Sequence, residues 1–86
     1  MVTLTLITGV VYSNAEKKEV SKAIFYVGWY DIGKAALDGL KGVISVEKGF
    51  HNSKEINTVF YDPSVITIKE MENALREAGT YQGMVE

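Results

Sequence analysis

Residues 20–27 place Ala23, Phe25 and Val27 at alternate positions, with Lys22, Ile24 and Tyr26 between them. That period of two predicts a strand whose second face is partly covered. Gly28 punctuates it. Asp31 can cap a helix over residues 31–40, with Ile32, Ala35, Ala36 and Leu40 facing inward and small enough to let the helix lie close to a sheet. Gly33 and Gly39 each weaken this helix by about 1 kcal/mol relative to Ala. Gly42 ends the segment, and alternation returns over residues 43–48. A short turn over residues 49–54, polar apart from Phe50, leads into a return strand over residues 55–61. That strand presents Ile56, Thr58 and Phe60 on one side and Asn57, Val59 and Tyr61 on the other.

After Asp62-Pro63 comes the clearest local signal in the chain. Thr67 followed three residues later by Glu70 makes a capping box, and Ile66 against Met71 makes a hydrophobic staple. Ile68, Met71, Leu75 and Ala78 recur at helical spacing, Lys69, Glu72, Asn73 and Arg76 stay outside, and Gly79 supplies a left-handed stop. Residues 80–85 have room for one brief last strand.

From residue 20 the order is strand, helix, strand, strand, helix, short strand. Two such split units fold most simply as an α+β, ferredoxin-like βαββαβ domain: a four-stranded antiparallel sheet with both helices on one face. Residues 20–86 form that domain, and residues 1–19 add an N-terminal strand and turn. In the opening stretch Val2-Thr3-Leu4-Thr5-Leu6 alternates as a half-buried strand does. The apolar run from Leu4 to Tyr12, followed by Ser13-Asn14-Ala15, loosely resembles a secretory leader instead, although no positive charge precedes it. The strand reading goes with a cytoplasmic chain, and the leader reading with export. A strand at a sheet edge also favours pairing with a second copy, so a homo-oligomer formed through the N-terminal strand is expected.

Composition narrows the function. Eighty-six residues with 47% hydrophobic and 23% charged side chains suit a single globular domain with no membrane span. A chain of this size buries roughly 60–65% of its unfolded surface, too little to enclose a large substrate cavity alone. Nine basic and eleven acidic residues give a net charge of −2, and the Lys residues are scattered, so nucleic acid is not an expected partner. The lack of Cys excludes disulfides, thiolate metal sites and cysteine nucleophiles together.

Two resemblances then come into view. Gly42-Val43-Ile44-Ser45-Val46, a hairpin, Val59-Phe60-Tyr61-Asp62-Pro63 and Ala74-Leu75-Arg76-Glu77-Ala78-Gly79 resemble the heavy-metal-associated domains of copper chaperones, mercury-binding proteins and metal-pump N-termini. The likeness covers roughly half of the chain. It implies a ferredoxin-like fold and a soft metal carried between two Cys in the loop joining the first strand to the first helix. That family's spacing puts those ligands at Tyr26 and Trp29, so neither thiolate exists here. Ala23, Phe25, Gly28, Ala35-Ala36, Leu40 and Gly42-Val43-Ile44-Ser45-Val46 are also similar to the start of A-type peptide methionine sulfoxide reductases. There the catalytic Cys position is Trp29 and a helical acid position is Lys34, and the long insertion before Tyr61-Asp62-Pro63 is missing. An indole cannot attack a sulfoxide, so this resemblance implies at most an inactive ligand-binding domain.

No paired carboxylates at catalytic spacing, Ser-His-Asp set or phosphate loop occurs, and no enzyme is expected. Two candidate sites are left. His51, with Asn52, Glu47 and Glu55, can hold a borderline ion such as copper or zinc at the hairpin; otherwise His51 is simply solvated and no cofactor binds. Met thioethers are a weaker route to Cu(I), since Met71 belongs to the core and Met84 to the tail. Tyr26, Trp29, Tyr30 and Asp31 lie where both families keep their reactive loop, beside a helix start whose amides favour an anion. Exposed, they form a ligand or protein-partner surface; folded over the helix, they fill space between layers. The expectation is a non-catalytic interaction or accessory module associated, by resemblance, with metal handling. A metal carrier using His51 and carboxylates is the rival.

Overall fold

The computed structural model describes residues 19–86. The expected N-terminal strand, the leader alternative and strand-mediated self-association therefore lie outside the described residues. Among the described residues four strands and two helices follow one another as β1 (Ser21–Val27), α1 (Tyr30–Asp38), β2 (Val43–His51), β3 (Lys54–Tyr61), α2 (Ile68–Glu77) and β4 (Tyr81–Met84). The sheet order is β2-β3-β1-β4, every neighbouring pair being antiparallel. Each helix thus links two strands that run parallel with one strand between them, α1 from β1 to β2 and α2 from β3 to β4. This is the ferredoxin-like α+β arrangement that the element order implies.

One face of the sheet makes the core. Ala23, Phe25 and Val27 of β1, Val46 of β2, and Val59 and Tyr61 of β3 are buried with Leu37 of α1 and Met71 and Leu75 of α2. The alternation in β1 and β3 matches the sequence expectation, with the Asn57 side of β3 turned inward. The Phe25 and Tyr81 rings meet edge to face at 6.1 Å between centroids. Tyr81 also donates its hydroxyl proton to Glu72 at 2.6 Å and lies under the Arg76 guanidinium, joining β4 to α2. Burial and the Glu72 carboxylate together hold the Tyr81 phenol above its ordinary pKa.

The start of α2 is the one that the sequence predicts. Thr67 Oγ1 accepts from the Glu70 backbone N–H at 3.1 Å, and the Glu70 carboxylate accepts from Thr67 N–H at 2.9 Å. Ile66 and Met71 are both buried. Gly79, at φ 75°, makes the left-handed turn that ends the helix. Thr67→Ala removes one half of the reciprocal cap and is expected to lower stability by about 1 kcal/mol, read as a fall in the thermal midpoint.

Two local expectations need correction. Helix α1 begins at Tyr30, with Trp29 as N-cap and no side-chain cap bond, so Asp31 lies in the first turn instead of capping it. Gly33, Ala36 and Leu37 face inward, Leu40 packs against the core just beyond the helix, and Ile32 and Ala35 are exposed. The face is rotated by about one residue: Leu37 takes the core position and Gly33 sits against Asn57 of β3. The hairpin is also tighter than expected. β2 and β3 pair to His51 and Lys54, leaving Asn52 and Ser53 as a two-residue turn at φ 53° and 62°. Positive φ at both central residues suits the right-handed twist of paired strands, and Asn accepts it readily. Phe50 consequently belongs to β2, directly opposite Glu55.

Candidate functional site

The strand ends at Val27, and the next three residues are pinned from three directions. Gly28 N–H donates to the Thr80 carbonyl at 2.8 Å, and Trp29 N–H to Thr80 Oγ1 at 2.9 Å. Tyr30 N–H donates to the Glu55 carboxylate at 2.7 Å, and the Tyr30 carbonyl accepts from Asn57 Nδ2 at 3.1 Å. The anion expected at the start of α1 is thus provided by the chain itself, since Glu55 reaches it from β3. A carboxylate there satisfies an orphan N–H and faces the positive end of the helix dipole.

With its backbone anchored inward, Trp29 points its side chain out and is 62% exposed. Exposed Ile32 follows one helical turn later, and Phe50, 65% exposed, stands on β2. The half-buried Tyr30 ring meets Phe50 edge to face at 5.5 Å between centroids. Lys48 donates to Asp31 at 2.7 Å and lies 5.4 Å from the Tyr30 ring centre. The hydrogen bond to Asp31 and its negative charge raise the Lys48 pKa above the ordinary lysine value. Around the start of α1 the domain thus exposes Trp29, Ile32 and Phe50, with the Lys48–Asp31 ion pair beside Tyr30.

The structure divides the residues that the sequence groups together. Trp29 and Asp31 are exposed at the start of α1, and Tyr30 is split between core and surface. Tyr26 faces the opposite side, where its hydroxyl accepts from Asn52 Nδ2 at 3.2 Å and its ring lies near His51 and Lys54. Core filling by Trp29 is not what is observed. Ile32, expected to face inward, and Phe50, expected in the turn, are exposed as well. Recognising Asn52-Ser53 as a two-residue turn would have carried the alternation of β2 from Val46 through Lys48 to Phe50, on the helix side.

The proposed metal ligands are not brought together either. Alternation along β2 puts Glu47 and His51 on the open face of the sheet, whereas Glu55, paired with Phe50, points to the helix side and is bonded to Tyr30 N–H. Among the described residues no group of three or more His, Asp or Glu side chains is placed to hold an ion. Lys34, at the acidic position of the reductase pattern, pairs with Asp38 at 3.0 Å and donates to the Val46 carbonyl at 3.0 Å, tying α1 to the edge strand. At the other end of the sheet Lys41, Gly42, Val43, Ile44, Asp62 and Val65 line a cavity of about 290 Å³. No helix among the described residues is long and apolar enough to cross a membrane.

Fold and site together define a small ferredoxin-like α+β domain with an exposed indole on the loop that joins β1 to α1. Among solved structures, the chain is similar to the N-terminal domain of a potential copper-translocating P-type ATPase from Bacillus subtilis, determined in solution in its Cu(I)-loaded state. The two superpose with a TM-score of 0.61 at 18% sequence identity, over 79% of this chain and 94% of the other. No family model matches the chain, and no curated protein does. The likeness establishes the fold; it does not transfer the ATPase domain's copper to this chain.

Proposed function

We propose that the chain is a non-catalytic accessory module of metal handling that acts through a protein partner received on the surface around Trp29, and not through a coordinated ion. The observation that carries this reading is the 62% exposure of Trp29 at the end of β1, on a loop whose backbone donors are already satisfied. A large aromatic side chain held in water is costly unless another surface covers it, and Trp is prominent among residues that dominate interface energetics. The association with metal handling rests on the resemblance of the chain to heavy-metal-associated domains and on the Cu(I)-loaded ATPase domain that shares its fold. Trp29, Ile32 and Phe50 together expose on the order of 300 Å² of apolar side chain. A stable interface takes about 800 Å² from each partner, so this surface suits a transient contact.

Two measurements test the reading. Trp29 is the sole tryptophan, so its emission reports this loop alone. Iodide is expected to quench it nearly as well as free indole, and blue-shifted, protected emission would contradict an available surface. Native mass spectra recorded with one equivalent of Cu(I) or Zn(II) are expected to show the chain without a specific one-to-one adduct. An adduct that disappears in His51→Ala would overturn the proposal in favour of a metal carrier.

A further inference from the structure

Three consecutive backbone donors, those of Gly28, Trp29 and Tyr30, end on the chain's own acceptors, and two of the three acceptors belong to one residue. We propose that Thr80, in the connection between α2 and β4, is the positioning residue of the β1–α1 loop: it holds the loop closed without an ion and so fixes the outward pose of Trp29. This deepens the partner-binding reading but does not depend on it.

Thr80 is 2% exposed and is itself fixed, its N–H donating to the Leu75 carbonyl at 3.0 Å. From that anchored position its carbonyl accepts from Gly28 N–H, and its hydroxyl oxygen accepts from Trp29 N–H. The Trp29 carbonyl oxygen lies 3.4 Å from the same hydroxyl oxygen, within reach of its proton. One side chain therefore addresses both backbone groups of the residue that carries the exposed indole. A Val of nearly equal shape fills the same space but offers Trp29 neither acceptor nor donor, leaving a half-buried N–H unpaired. Ser keeps the hydroxyl. A loop ordered in this way presents its side chain without the conformational cost of fixing it during binding.

Amide hydrogen exchange followed by NMR on the full chain tests the assignment, with Phe25 and Val59 as internal core references. In the unsubstituted chain the Trp29 amide is expected to be protected, and addition of one equivalent of Cu(I) or Zn(II) leaves that protection unchanged. In Thr80→Val the Trp29 amide exchanges about tenfold faster relative to the core amides, and Thr80→Ser returns it to within a factor of about two or three of the original ratio. The proposal is overturned if the Trp29 amide is unprotected in the unsubstituted chain. It is equally overturned if Thr80→Val changes loop and core amides in proportion, or if Thr80→Ser behaves like Thr80→Val. No partner enters these measurements, so they can fail while partner binding stands, and partner binding can fail while they hold.

Discussion

Gly33→Ala is expected to destabilise the domain by about 1–3 kcal/mol, although replacing a helical Gly by Ala ordinarily stabilises by about 1 kcal/mol. The sign reverses because a Cβ at this position would lie far inside van der Waals contact with Asn57 Oδ1, with the Asn57 Cγ at 3.1 Å and a Val27 methyl at 3.3 Å. Neither neighbour can retreat. Asn57 is fully buried and bonded to the Tyr30 carbonyl, and Val27 belongs to the core. Among the described residues Asn57 Oδ1 is also a buried side-chain oxygen with no hydrogen-bond partner. Its closeness to the position of the missing Cβ means that a Cα–H of Gly33 is directed at it, a weak polar contact in place of a full one. Removing the amide makes room for the new methyl, so Gly33→Ala with Asn57→Ala should cost less than the sum of the single changes. Urea unfolding of the four species measures this. Strict additivity, or a stabilising Gly33→Ala, would mean that α1 does not lie this close to β3.

That close approach also shows where the sequence was readable. The alternation of β1 and β3, the α2 capping box and the order of elements all follow from contacts within a few residues of each other, and the chain displays them as periodicity. The orientation of α1 does not. Ile32 and Leu37 are both strongly apolar, and the local pattern does not choose between them; on the buried face Gly33 meets Asn57, twenty-four positions away in the chain. The site was legible to the same degree. Position along the chain singled out Trp29, Tyr30 and Asp31, but the groups that fix them, Glu55, Asn57 and Thr80, arrive from β3 and the α2–β4 connection. Polar residues of this kind look like ordinary strand or loop positions until the sheet brings them together.

Phe25→Ala is expected to have the largest single effect, about 3–5 kcal/mol. Phe25 is completely buried in central strand β1, flanked by Asn57 on β3 and Met84 on β4, and its ring meets that of Tyr81. The truncation leaves a cavity that two helices and two neighbouring strands cannot all close. A domain of this size has a total stability of about 3–10 kcal/mol, so a substantial unfolded fraction should be present at 25 °C. Far-UV circular dichroism against urea is the suitable measurement, because Trp29 is already exposed in the native state and its emission changes little on unfolding. Phe60→Ala, on the opposite face of β3, serves as the comparison and should cost under about 1 kcal/mol. Equal losses at the two positions would contradict a one-sided core.

The nine-residue edge strand β2 has a bearing on how the protein survives at high concentration. An uncovered strand of that length is a template on which a stray chain can add and start a fibril. Here the register slips between Val43 and Ser45, Lys48 carries a charge along the strand, and the Val46 carbonyl is occupied by Lys34. Irregularity, charge and a blocked acceptor make the rim a poor seed for sheet growth, although the same strand carries the exposed Phe50.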